Sequence, residues 1–319
     1  MNTELYPWLQ PHWETFSQQK EQDRIPHAIL LSGASGLGKK KLAQEMVASV
    51  HCDSCTDGKM CGRCHSCHLL NANSHPDHLA VFPEEAGKQI KIEQIRQLKE
   101  KQVLTPTIGQ WKTVIISPAE NMNVNAFNSL LKLLEEPQAN TLIILITGKT
   151  HILPVTIRSR CQNLKIATPS TGEAENWLKK NSNIDSTIDL QQLLTLCSGA
   201  PLAVVKAIDN GLVQQFQQIE QDFNALINQQ ANPVELANVW KQYDPLIIFN
   251  QLQNLVKNRI INETINSDNK KLDRLYWELS DCIIEIIKLL STSNNINNTL
   301  LLEDFMVSLM QKTAQYKLA

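Results

Sequence analysis

The sequence predicts an α/β phosphate-loop domain carrying an inserted cysteine-rich module, then a small helical domain, then an all-α C-terminal domain. Three observations lead there. Short β-branched runs alternate with helix-period segments through the first half of the chain. A glycine loop ending in lysine follows the first of those runs. Beyond Gly211 there is no further glycine, and apolar residues recur at helical spacing. The expected boundaries are 1–166 for the α/β domain with the cysteine module at about 51–70, 167–210 for the small helical domain, and 211–319 for the C-terminal domain.

Each element follows from local composition. His27–Ser32, Leu79–Phe82, Thr113–Ser117 and Thr141–Thr147 read as strands. They do not alternate polar with apolar, which is the pattern of parallel strands covered by helices on both faces. Ile92–Leu104 and Val124–Glu136 carry helical spacing, and Pro137 stops the second. After Thr168-Pro169, Ser170 and Glu173 have the spacing of a capping box ahead of a helix bearing Trp177 and Leu178. In the last third, Pro233 and Pro245 each follow an Asn or Asp suited to cap a helix with proline at its first position. Leu212, Phe216, Ile219, Phe223 and Leu226 form one helical stripe, and Leu272, Leu275, Leu279, Ile283, Ile286 and Leu290 another.

Composition removes several classes of function. With 319 residues, 42% of them hydrophobic, the chain can bury a sizeable core. Lys and Arg total 30 against 32 Asp and Glu, so no chain-wide field draws it to nucleic acid or anionic membrane. The start Met1-Asn2-Thr3-Glu4-Leu5-Tyr6 lacks the pattern of a signal peptide, and runs such as Leu142–Ile146 are too short to span a bilayer. A soluble cytoplasmic protein is expected. Five of eight cysteines crowd between Cys52 and Cys67, which suits a metal in a reducing compartment better than a disulfide framework.

Three constellations could carry chemistry. The first is Gly33-Ala34-Ser35-Gly36-Leu37-Gly38-Lys39-Lys40, placed between a strand and a helix. Gly33, Gly36 and Gly38 would let backbone N–H groups curl round phosphate oxygens, and Lys39 would reach the terminal phosphates. Lys40, however, stands where a Ser or Thr would ligate magnesium. The acidic pair expected after a later strand is replaced by Pro118-Ala119, with Glu120 out of register and read as a solvated loop charge. These residues predict poor ATP hydrolysis and leave ATP or ADP binding open. Lys39, Lys40 and Lys41 otherwise read as a solvated first helical turn, and Lys88, Lys91, Arg96, Lys99 and Lys101 as a wet helix face.

The second constellation is Cys52, Cys61, Cys64 and Cys67, with Cys55 as a spare thiol that could stand in for Cys52. Four thiolates suit a tetrahedral zinc ion, and a saturated site would be structural. The third is Arg158 and Arg160 in Pro154-Val155-Thr156-Ile157-Arg158-Ser159-Arg160-Cys161, which alone read as surface arginines.

Taken together, these residues resemble the AAA+ clamp-loader subunits of the bacterial replicative polymerase, DNA polymerase III. The carriers are Arg24-Ile25-Pro26-His27-Ala28, the cysteines directly after the phosphate-loop helix, Ala126-Phe127-Asn128-Ser129-Leu130-Leu131-Lys132-Leu133-Leu134-Glu135-Glu136-Pro137, and Ser159-Arg160-Cys161. The resemblance spans the chain and is most specific over 24–161. It implies an AAA+ domain, a helical lid and a C-terminal collar, with Cys52, Cys61, Cys64 and Cys67 as zinc ligands. It also implies that Arg160 is an arginine finger offered to the ATP site of a neighbouring subunit. Motor subunits of that family keep Lys-Thr in the loop, Asp-Glu after the strand and a lid arginine, where this chain has Lys39-Lys40, Pro118-Ala119 and Leu202. The pattern is that of the delta-prime type: a non-hydrolysing stator working with tau/gamma and delta subunits to place the beta sliding clamp on primed DNA. An ATP-hydrolysing motor and a zinc-dependent DNA-binding module are the alternatives.

Overall fold

A computed structural model describes residues 5–55, 60–85, 87–103, 105–182, 190–266, 270–292 and 297–318. Met1–Glu4, Leu104 and the side chains of Lys101 and Leu272, used above, lie outside the described residues. The chain divides into two units. One comprises residues 1–184 with 197–204, and the other 185–196 with 205–319.

In the first unit the order is α1 (Gln10–Glu21), β1 (Ala28–Ser32), α2 (Lys39–His51), α3 (His65–Asn71), β2 (His78–Val81), α4 (Ile92–Val103), β3 (Lys112–Ile116), α5 (Val124–Glu135), β4 (Thr141–Thr147), the short α6 (Val155–Arg158), β5 (Gln162–Lys165) and α7 (Thr171–Asn181). The five strands form a parallel sheet in the order β2-β3-β4-β1-β5. Ala28 pairs with Ile143 and Ile29 with Gln162, which fixes β1 between β4 and β5.

The unalternating runs are explained by burial on both faces. Period-two geometry sends Leu30, Val114, Ile116, Ile143 and Leu145 to one face, where Ile95 and Leu98 of α4 and Phe127, Leu130 and Leu134 of α5 cover them. Ile29, Leu31, Ile115, Leu142, Ile144 and Ile146 face the other way, under Trp13 and Phe16 of α1 and Leu42, Met46 and Val47 of α2. Most of these side chains are fully buried, each stabilising the fold by about 1.5–3 kcal/mol. Local signals agree with tertiary packing. Asn123 caps α5 by accepting the Ala126 N–H at 2.8 Å, and Ser170 and Glu173 close the expected capping box.

The second unit is helical among the described residues: α8 (Leu190–Leu196), the latter part of α9 (Pro201–Asp209), α10 (Leu212–Ile227), α11 (Pro233–Trp240), α12 (Pro245–Asn266), α13 (Lys270–Thr292) and α14 (Asn298–Leu318). Asn232 and Asp244 accept the N–H groups of Val234 and Leu246, as the Asn-Pro and Asp-Pro pairs predict. Phe223, Trp240, Phe249 and Tyr276 are buried, and Phe249 meets Phe305 edge-on at 5.1 Å. The buried Asp222 carboxylate accepts the Trp240 indole N–H at 2.7 Å and the Gln218 amide at 2.9 Å. No described helix is long and apolar enough to cross a membrane.

Candidate functional site

The glycine loop lies between the end of β1 and the start of α2, as its sequence requires. Gly36 sits at φ 85°, and a Cβ there would come within 2.6 Å of Ala203, whose neighbour Leu202 donates its N–H to the Gly36 carbonyl at 3.1 Å. Gly38 opens α2 at φ 81°, and a Cβ there would strike the Tyr6 ring at 2.5 Å. The Trp8 indole donates to the Leu37 carbonyl at 2.8 Å. Tyr6 stacks on Trp8 at 5.3 Å, and Trp177 of α7 meets both edge-on. Aromatic rings therefore crowd the loop, a feature the sequence signalled only as isolated aromatic residues.

The two loop lysines are both engaged. Lys39 is buried rather than on a solvated turn, and its ammonium donates to the carbonyls of Gly33 at 2.7 Å and Ala34 at 2.6 Å. Burial pushes its pKa down, while the Glu120 carboxylate opposes that shift. Lys40 lies 4.6 Å above the Phe82 ring, a cation–π contact. Lys41 pairs with Glu45 at 2.6 Å.

Glu120 departs from its expected role as a solvated charge. One carboxylate oxygen accepts the Gly148 N–H at 2.9 Å, and the other is buried with no hydrogen-bond partner. The turn Ala119–Asn121 after β3 swings it against the end of β4, which periodicity cannot reveal. Pro118 and the buried Ala119 occupy the positions where acidic residues were sought. The loop thus gathers one lysine and one carboxylate, with no hydroxyl directly after the lysine.

Arg160 lies just beyond α6. That helix is fixed from below by buried Leu153 and Ile157, and by Cys161 packed on the same core. Burial pushes the Cys161 thiol up to about 11, so it stays a neutral anchor. The guanidinium is turned onto its own chain, donating to Glu135 at 2.8 Å, to the Thr156 carbonyl at 2.9 Å and weakly to the Ser159 hydroxyl at 3.4 Å. Both ends of the ion pair are exposed, at 36% and 46%. Arg158 is also exposed. Lys88 and Lys91 precede α4, which begins at Ile92, so they are not on the helix face expected of them; they pair with Glu85 and Glu84 at the surface, while Arg96 and Lys99 of α4 and Lys132 of α5 line a groove.

The cysteine module follows α2. The sulfurs of Cys52, Cys61, Cys64 and Cys67 all lie within 4.8 Å of one another. A tetrahedron of Zn–S bonds of about 2.3 Å needs sulfur–sulfur edges of about 3.8 Å, so these four thiols could hold a metal ion. Successive backbone N–H groups already point at sulfur, Cys61 to Cys52 at 3.2 Å, Cys64 to Cys61 at 3.3 Å and Cys67 to Cys64 at 3.4 Å. Hydrogen bonds from the Arg63 and Cys64 N–H groups bring the Cys61 thiol down to about 6, favouring thiolate, whereas burial raises Cys67. Cys55 stands outside the four. Its thiol contacts the Ser49 carbonyl at 3.2 Å and the Lys20 ammonium at 3.5 Å.

Sequence reading missed how this module is attached. Its exit, His75-Pro76-Asp77-His78, returns to the sheet beside its entry. The His51 and His75 rings lie 4.3 Å apart, and His51 and His78 share the Thr113 hydroxyl at 2.8 and 2.9 Å. Burial raises the Asp77 pKa, but N–H groups of Ile108, Thr107 and Gly109 outweigh it and leave the carboxyl below its usual range. The density of His and Asp in four residues was the available signal.

A parallel sheet with a glycine loop on its first strand, a four-thiol module behind the loop helix and a paired arginine beside the last strand define a phosphate-loop protein specialised by its insertion. The sequence model of the family described as "DNA polymerase III, delta subunit" matches residues 9–170. The "DNA polymerase III subunit delta'" of Pseudomonas aeruginosa is 36% identical over 246 residues, covering 77% of this chain and 74% of that one. The protein of the same description from Haemophilus influenzae is 34% identical over 237 residues, covering 73% and 70%. A gamma-subunit-related protein of DNA polymerase III from Thermotoga maritima superposes with a TM-score of 0.49 at 19% identity, over 93% of this chain and 99% of that one. The chain belongs to the delta-prime family of DNA polymerase III subunits.

Proposed function

We propose that this chain is a clamp-loader subunit of the DNA polymerase III holoenzyme, a stator that does not hydrolyse ATP and lends Arg160 to a neighbouring subunit's ATP site. The carrying observation is the contrast between two cations. Lys39 is turned inward onto its own loop carbonyls, whereas the Arg160 guanidinium lies at the surface, held by the exposed Glu135 carboxylate, the Thr156 carbonyl and the Ser159 hydroxyl. Lys40 over Phe82, and Pro118-Ala119 in place of acids, support the loss of hydrolysis. The Tyr6, Trp8 and Trp177 cluster over the loop supports the same reading, leaving at most unproductive nucleotide binding at Gly33, Gly36, Gly38, Lys39 and Lys40.

In this reading Cys52, Cys61, Cys64 and Cys67 hold a structural zinc ion, with no position open for catalytic water. Residues 1–166 act as the AAA+ module, 167–210 as the lid, and 211–319 as the collar that assembles with tau/gamma and delta subunits. The assembly, in the cytoplasm, opens the beta clamp and places it on primed DNA, powered by ATP at the motor subunits. The guanidinium would meet the charge that develops on a transferring γ-phosphoryl group, an effect worth about 10³–10⁵ in rate.

The test is DNA- and clamp-stimulated ATP hydrolysis by a tau/gamma and delta mixture, with this chain added or omitted, beside the chain alone. Activity only in the complete mixture supports the stator. Hydrolysis by the chain alone would make it a motor, and salt-sensitive DNA binding by the chain alone, lost on chelation, would make it a DNA-binding zinc module.

A further inference from the structure

Five thiols stand in a module where four complete a tetrahedron. Cys55 lies beside Cys52, Cys61, Cys64 and Cys67 without joining their cluster. Two helices hold it there. Its thiol donates to the Ser49 carbonyl of α2 at 3.2 Å, and the Lys20 ammonium of α1 lies 3.5 Å from the same sulfur. That ammonium also donates to the Ser49 carbonyl, so α1, α2 and the thiol are tied at one point.

On its other side Cys55 is hydrogen-bonded to the Cys52 sulfur, which in turn accepts the Cys61 N–H at 3.2 Å. Cys52 therefore belongs to the cluster and also meets the thiol outside it. Both Cys52 and Cys55 are half-buried and within reach of a small oxidant, whereas Cys67 is buried. Their separation, Cys52-Asp53-Ser54-Cys55, is that of Cys-x-x-Cys pairs that make and break disulfides. Cys61 with Cys64 and Cys64 with Cys67 share the spacing, but each of those pairs joins two candidate ligands. Within the module, Cys52 with Cys55 is the Cys-x-x-Cys pair that joins a ligand to a thiol the ion does not engage.

We propose that Cys52 and Cys55 form a hydroperoxide-sensitive dithiol switch whose disulfide releases the metal ion from the module. The proposal rests on the reading of the four clustered thiols as a zinc site. A hydroperoxide oxygen bonds to the Cys52 sulfur as the O–O bond breaks, giving a sulfenic acid, and the departing alkoxide takes a proton from water. The Cys55 sulfur then attacks the sulfenic sulfur. The S–S bond forms, the S–O bond breaks, and the departing hydroxide takes the Cys55 proton and leaves as water. Two electrons pass from the two sulfurs to the O–O bond. Lys20 places a positive charge beside the attacking sulfur as negative charge builds on it. Cys61, Cys64 and Cys67 remain, a three-thiolate set that holds the ion less tightly.

The full chain is purified under reductant, the reductant is removed, and zinc is counted. A chain without zinc would overturn the zinc reading and the proposal with it. Equimolar hydrogen peroxide is then added with a colorimetric zinc chelator present, and disulfides are mapped by mass spectrometry of unreduced peptides. Zinc is expected to appear in step with a Cys52–Cys55 disulfide, and dithiothreitol with added zinc should restore the starting state. Cys55→Ser should keep its zinc and its melting temperature, and release the ion at least about tenfold more slowly. Release from Cys55→Ser at the wild-type rate would overturn the switch and leave the zinc reading standing. The same holds for a wild-type disulfide that joins Cys61 with Cys64 or Cys64 with Cys67, or for a Cys52–Cys55 disulfide formed with zinc retained. Loss of zinc from untreated Cys55→Ser would make Cys55 a ligand and likewise overturn the proposal.

Discussion

Replacing Arg160 by Ala separates a residue that serves a neighbour from one that serves its own fold. The folded chain loses little. Its pair with Glu135, at 2.8 Å, is exposed at both ends, and such pairs contribute about 0–1 kcal/mol. The accompanying bonds to the Thr156 carbonyl and Ser159 hydroxyl are exposed as well. A total near 1 kcal/mol lowers the melting temperature of a unit this size by about 2–4 °C. At a neighbour's ATP, the same substitution is expected to cost about 10³–10⁵ in rate, or about 4–7 kcal/mol of barrier. The assay is stimulated ATP hydrolysis in the reconstituted mixture, with assembly followed by gel filtration and stability by melting. Glu135→Gln is the companion, since it releases the guanidinium without removing it and should preserve activity. If Arg160→Ala retained activity within about tenfold of wild type, or lost assembly in step with activity, the finger assignment would be wrong.

Four further outcomes are expected. Metal analysis of the purified chain should find one zinc per chain, and Cys64→Ser should abolish it while amide exchange accelerates around α3 and leaves β3 and β4 protected. His78, pushed down to about 4 by burial and by His75, with the Thr113 backbone opposing, is neutral in the fold over a range where the unfolded chain takes a proton. Its contribution is complete above pH about 6.5 and falls by about 1.4 kcal/mol per unit as pH drops toward about 4, so urea titrations should show that slope reduced in His78→Asn. Trp240→Phe removes the indole donor from buried Asp222 and should cost about 1–3 kcal/mol in chemical denaturation. Trp277→Phe, at a 58% exposed position, should stay within about 0.5 kcal/mol of wild type.

Sequence patterning revealed the sheet where burial is symmetric. Thr141–Thr147 matches β4 to the residue, because a fully buried strand leaves an uninterrupted apolar run. β5 left no such trace. Gln162-Asn163-Leu164-Lys165 is an edge strand with polar residues at three of its four positions, held by pairing to β1 and by the Ser32–Asn163 hydrogen bond at 2.8 Å. At the loop, residue identities exposed what was missing at Lys40 and Pro118-Ala119. They could not show that Lys39 folds back on Gly33 and Ala34, or that Glu120 reaches Gly148. Those contacts depend on where a turn directs a side chain, which composition does not encode. The gathering of Cys52, Cys61, Cys64 and Cys67 was legible because thiols that can surround one ion lie at short spacings in sequence. The Asp77 clamp was not, since its three donors lie about thirty residues away in sequence.

The meeting of His51 and His75 gives the cysteine insertion the character of a cassette. Its two ends already touch and are fastened to β3 through Thr113, so the ring of chain between them closes without help from a metal. A splice joining the segment before Cys52 to the segment after Asn73 would therefore leave the sheet's own fastenings in place. The same junction offers a port at which a foreign loop could be grafted, far along the chain from Arg160.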